Sequence, residues 1–132
     1  MRRRSLDPRD VSGATALEFA LISPVLIMLL IGGFQLAWAL HCAASVRWSL
    51  ETSARNLMMN PTESAATLKT AMLAGLSGRA TATDLTVTIT PDTTNPAGTL
   101  LVASSVFRTN LAIPFLATQP LTFNSSTKVP AF

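Results

Sequence analysis

This chain has very little of what small extracytoplasmic domains and metal centres are built from. One cysteine, Cys42, among 132 residues excludes an internal disulfide framework and a structural zinc site of several thiolates. One histidine, His41, leaves no second imidazole for a metal pair. Charge is scarce as well, at 13% of residues, about half the usual share for a soluble domain. With 48% apolar residues, that scarcity excludes an intrinsically disordered chain. The scarcity is also local. Between Glu18 and Arg47 lie 28 residues without a charged side chain, unless His41 is protonated. The core of that gap, from Phe19 to Leu40, is nearly all apolar, and a run of this length reads as a membrane span. If it spans, about 86 residues from Arg47 to Phe132 remain for an aqueous part.

The formal net charge is +3, yet the basic residues do not form a nucleic-acid footprint. Arg2, Arg3, Arg4 and Arg9 sit on a short leader ahead of the apolar run, where the positive-inside rule accounts for them. Six further basic and four acidic residues are spread thinly after the span, so no nucleic-acid partner is expected. No internal repeat and no glycine-rich phosphate loop is present. His41 and Cys42 are adjacent, so on a helix they point about 100° apart and do not share a ligand. Cys42 reads as a small packing residue, with an intermolecular disulfide as the lesser alternative. The chain lacks an acid–base pair, a metal cluster and a nucleophile with its base, so neither an enzyme nor a cofactor is expected.

Read along the chain, residues 1–13 are polar, basic and poor in helix formers, with Pro8, Ser12 and Gly13 discouraging regular structure. Residues 14–58 read as one long helix. Its first part, Leu17 to Leu40, rises about 36 Å, enough to cross a hydrocarbon core of about 30 Å with some tilt. Trp38 suits the far interface. Pro24 removes one backbone bond to Ala20 and is expected to kink or loosen the helix. Beyond His41, the residues Ala43, Val46, Leu50, Ala54 and Leu57 form an apolar stripe, and Arg47, Glu51 and Arg55 alternate in charge on another face. Asn60-Pro61-Thr62-Glu63 predicts a second helix start with Asn60 as cap, running to about Leu76 and ending at Gly75 or Gly78.

After that helix the period changes to two. Leu85, Val87 and Ile89 alternate with threonines, a half-buried strand. Residues 91–98 are a loop by composition, and Leu100–Leu111 contains a second strand whose inward face is less clear. Pro114 and Pro120 bracket a connection. Leu121–Val129 is a third strand candidate, with Leu121, Phe123 and Val129 in phase. The expectation is an α+β chain with a long N-terminal membrane-spanning helix, a short second helix and a small antiparallel sheet of two to three strands. Its parts would be a leader (1–13), a transmembrane helix (14–40) and an extracytoplasmic domain (41–132) that includes the helix's soluble end.

The most informative residues head the span: Gly13-Ala14-Thr15-Ala16-Leu17-Glu18. A carboxylate at the edge of hydrocarbon is costly, and by itself Glu18 reads equally as a functional group or as a marker of the span's inner boundary. A basic leader ending in glycine, a carboxylate five residues on and an apolar helix resemble the class III signal of type IV pilins. More closely, GATALEFALISPVLIMLLIGGFQLA, Gly13 to Ala37, resembles the TadE-like family, small pilin-like proteins of tight-adherence (Tad, or Flp) pilus systems. The Ala16–Ala20 core, Pro24 and Gly32 or Gly33 carry the likeness, which covers about a fifth of the chain.

The resemblance implies a pilin-like fold and a mechanism. A prepilin peptidase would cut between Gly13 and Ala14 on the cytoplasmic side of the bacterial inner membrane, with glycine allowing an extended, exposed backbone. The new amine of Ala14 would take Glu18 of a neighbouring subunit as counter-ion and set the register between subunits. Partners would be the peptidase, TadE- and TadF-type subunits, the major pilin and the Tad platform proteins in the inner membrane. The C-terminal domain would face the periplasm, with incorporation into an extracellular pilus open. The role would be that of a minor pilin in assembly or adhesion. Two alternatives stand beside it: a pseudopilin of a type II secretion system, and a single-pass anchor carrying a small binding domain. A cleaved secretory signal fits poorly, because the apolar region is too long and Glu18 heads it.

Overall fold

The computed structural model describes residues 12–94 and 100–130. The expected leader falls almost wholly outside these residues, as does half of the loop at 91–98. Five elements follow in order: α1 (Ser12–Met59), α2 (Ala65–Leu76), β1 (Leu85–Pro91), β2 (Leu100–Leu111) and β3 (Gln119–Pro130). The sheet has three antiparallel strands in the order β1-β2-β3. The chain is therefore α+β, and the third strand is present.

The apolar run propagates α1 outward to Ser12 and Gly13, which the sequence placed outside regular structure. Both residues disfavour a helix only weakly at its first turn, where the backbone N–H groups need no intrahelical partner. Pro24 lies inside α1 without ending it. The Ala20 carbonyl that Pro24 leaves without its usual N–H faces the Ser23 hydroxyl, which donates to it at 3.4 Å.

Pro61 stops α1 shortly after Met59, but Asn60 does not cap α2. Glu63 N–H donates to the Asn60 carbonyl at 3.0 Å, closing a turn with Asn first and Pro second, the preferred residues for those places. The cap is Ser64, whose Oγ accepts from Thr67 N–H at 3.2 Å. α2 ends with Ser77 in the left-handed region (φ 47°) followed by Gly78 (φ 82°).

The expected stripe on the upper half of α1 is buried at Val46, Leu50, Ala54 and Leu57, joined by Ala39 and Cys42, while Ala43 is half-buried. These residues meet Leu68, Met72 and Leu76 of α2 and the inner face of the sheet, which includes Leu85, Val87, Ala103, Phe107 and Val129. On β2 the inward residues are thus Ala103, Ser105 and Phe107. Phe107 lies opposite Phe123 of β3 in the register, and their rings stack at 6.3 Å between centroids. Pro91, Pro120 and Pro130 all sit on the two edge strands, where a missing N–H breaks no central ladder. Pro120 is thereby part of β3 rather than of the connection before it.

Two polar contacts bind the elements more tightly. Ser49 Oγ, buried, donates to the Met72 carbonyl at 2.9 Å and ties α1 to α2. Across the sheet, Lys128 Nζ reaches Asp92 Oδ2 at 2.7 Å, joining the end of β3 to the residue after β1.

Candidate functional site: the exposed head of helix α1

The lower half of α1 projects away from the core. In its most apolar window no residue is buried, and it is the one helix among the described residues long and apolar enough to cross a membrane. Leu17, Phe19, Leu21, Ile22, Leu29, Leu30 and Phe34 are each more than 60% exposed. Side chains of this size stay out of water only against lipid or another protein. Such a helix suggests a membrane anchor.

Gly13, Ala14 and Glu18 all lie on the first turns of this projecting helix, and all three are exposed. A Cβ added at Gly13 would meet nothing within 4 Å. Gly13 and Ala14 are both exposed, and the bond between them is helical rather than extended, so a protease would have to open the helix there. Ala14 and Glu18 are four residues apart and share a helix face. Pro24 follows about one and a half turns later and is also exposed.

His41 and Cys42 part company as the helical geometry requires. His41 is exposed beside Trp38, with ring centroids 5.8 Å apart, while Cys42 is 3% exposed and inside the core. Burial pushes the Cys42 thiol up from its ordinary range, with the Arg79 charge pulling weakly the other way. A buried, neutral thiol is a packing group and is not presented to another chain. Among the described residues, no three of His, Cys, Asp and Glu gather where they would hold a metal.

The sequence reading missed Gln35. Its amide clamps the backbone of the β2–β3 connection from both sides: Nε2 donates to the Ala112 carbonyl at 2.6 Å, and Ala112 N–H donates to Oε1 at 2.8 Å. Three residues earlier, a Cβ added at Gly32 would stand 3.4 Å from Ile113 Cδ1, so the glycine makes room for that loop. A signal was present, because Gln35 is the only polar side chain between Ser23 and His41.

The segment that carries the exposed glycine, the carboxylate and the proline can be compared with known families. Residues 13–55 match the model of the TadE-like protein family. No curated protein and no solved structure matches the chain. The TadE-like match lies wholly within α1, from the glycine at the head of the helix to Arg55 on its packed half. The match covers 43 of the chain's 132 residues, so the likeness belongs to this helical segment.

Proposed function

We propose that this TadE-like protein is a minor pilin, or pseudopilin, of a Tad/Flp pilus system, cut by a prepilin peptidase between Gly13 and Ala14. The observation that carries the reading is the family match beginning at Gly13, on a helix whose head is free of the folded domain. After the cut, the chain would begin with a cationic amine at Ala14, four residues before Glu18. Neither charge is cheap at the edge of hydrocarbon. When subunits stagger so that the amine of one meets the carboxylate of the next, both are neutralised, and one stagger is favoured over its neighbours. The protein itself catalyses nothing in this scheme. It is a substrate of the peptidase and a building or priming subunit, with its sheet on the periplasmic side and its partners among other pilin-like subunits and the inner-membrane platform.

The test is the N-terminus of the mature chain, measured by mass spectrometry with and without the peptidase. A start at Ala14 that depends on the peptidase, and that Gly13→Ala impairs, is the expected result. Because a methyl at Gly13 meets no neighbour among the described residues, that variant is expected to keep the fold of the domain, and loss of cutting reports on recognition. An intact Met1 chain beside an active peptidase would leave a single-pass anchor.

A further inference from the structure

The β2–β3 connection does not sit on top of the domain. It runs down the side of α1 into the span. Its sequence, Leu111-Ala112-Ile113-Pro114-Phe115-Leu116-Ala117, is seven apolar residues without a charge. We propose that this tip is a second membrane-contacting element that enters the outer leaflet beside α1 and meets lipid acyl chains there. The proposal rests on α1 crossing the membrane.

Depth is the first argument. With Glu18 at the inner headgroup boundary, a hydrocarbon core of about 30 Å holds about twenty helical residues, Phe19 to about Trp38. Trp38, 56% exposed, then lies at the outer interface, where indole rings settle. Gln35 falls about one turn below that boundary and Gly32 nearly two turns below it. The loop is held at these levels, by the Gln35 clamp on Ala112 and by Ile113 against Gly32.

Hydrogen bonding is the second. Lipid-exposed irregular backbone is not tolerated in the hydrocarbon centre, so the tip is placed at the shallow edge of the outer leaflet, where its backbone groups are partly paired within the protein and the rest reach the headgroup layer. Ala112 has both its N–H and its carbonyl taken by Gln35. Pro114 has no N–H to satisfy. Leu116 N–H donates to the Ile113 carbonyl at 3.1 Å. The same clamp resolves the cost of Gln35 itself, an amide inside an apolar span, by using one donor and one acceptor together.

The third argument is Phe115. The turn Ile113–Leu116 has Pro at its second place and a positive φ, 65°, at its third, where glycine is normally chosen. Instead, a phenylalanine stands there, 92% exposed, with Leu116 58% exposed beside it. A bulky residue in the left-handed region is strained, and strain of this kind is retained where the projected side chain has work to do. Between the tip and Val25, Met28, Leu29 and Leu36 runs an open apolar cleft of ≈ 510 Å³, continuous with the lipid-facing surface of the span. Acyl chains fit it in shape and in polarity.

The experiment uses the full chain at one copy per nanodisc of phosphatidylethanolamine and phosphatidylglycerol, in a Cys42→Ala background. An environment-sensitive fluorophore is attached in turn at Phe115→Cys, Leu116→Cys, Leu29→Cys and Glu63→Cys, and doxyl-labelled lipids serve as quenchers. The expected result is a blue-shifted emission and a loss of intensity at 115 and 116 matching that at 29, with neither at 63. If 29 is quenched and 115 and 116 behave like 63, the tip is not in lipid, and this inference falls while the membrane span stands. If 29 is itself unquenched, the span and the tip fall together. If 115 becomes shielded only when several copies share a disc, and no lipid quenching accompanies it, the tip is a subunit contact and the lipid assignment is overturned.

Discussion

Ser49 and Gly75 show how closely α1 and α2 are fitted at the scale of single residues. A Cβ at Gly75 would come within 3.2 Å of Ser49 Oγ, the atom that donates to the Met72 carbonyl. Replacing glycine by alanine inside a helix gains up to about 1 kcal/mol of propensity. Here that gain is opposed by displacement of the Ser49 hydroxyl, whose bond contributes about 1 kcal/mol. Gly75→Ala is therefore expected to be near neutral in the native chain and stabilising in a Ser49→Ala background, a coupling that a double-mutant cycle on denaturant midpoints reads directly. Ser105 is the opposite case. Its hydroxyl is buried in the sheet's inner face with no hydrogen-bond partner among the described residues. Since burying an unpaired hydroxyl costs about 1–3 kcal/mol, Ser105→Ala should raise the melting midpoint. Of these pairings nothing was visible in the sequence, because a serine's partner on another element is fixed only when the elements pack. Gly13, Ala14 and Glu18 stood out in the sequence as the head of the apolar run, and the structure puts all three, exposed, at the start of α1.

At the scale of elements, the sheet carries a pH-sensitive tie. The Asp92 carboxylate accepts from Lys128 at 2.7 Å and from Thr94 N–H at 3.0 Å. Chiefly through Lys128, its pKa is lowered to about 2. A carboxyl whose folded pKa lies below its unfolded value stabilises fully above the unfolded value and loses that contribution as pH falls through the folded one. Stability should therefore decline between about pH 4 and pH 2 through this group, given the usual unfolded value near 3.9. Asp92→Asn should flatten that part of the profile in a thermal-melt series and leave neutral-pH packing of the core unchanged. In α1, Pro24 is exposed on the projecting half of the helix, so Pro24→Ala should leave the domain's melting midpoint unchanged. The elements themselves were mostly readable from period and punctuation, as in the long helix and the threonine-valine strand, whereas Pro120 proved to lie in edge strand β3 and not in the connection. The start of α2 was misread because Asn60, Pro61 and Glu63 suit a turn as well as a capping box, and the choice depends on where α1 can end.

The whole molecule has two halves with different surfaces. The upper half of α1, α2 and the sheet close around one small core, while the lower half of α1 presents large side chains to its surroundings. Leu29→Arg places a charge in the middle of the span at about 3 kcal/mol on insertion scales. Because Leu29 is 70% exposed, the folded domain should tolerate it, and the variant is expected to shift from the membrane fraction toward the soluble one. Composition and periodicity by themselves determined the long apolar helix and the order of helices and strands, because each depends on residues near one another in the chain. Only the tertiary structure decided which face of β2 turns inward, that Ser64 rather than Asn60 caps α2, and that the β2–β3 tip descends along α1 to the level of Gly32. Those outcomes depend on contacts such as Gln35 with Ala112, 77 residues apart, and no local pattern encodes which distant backbone an amide will meet.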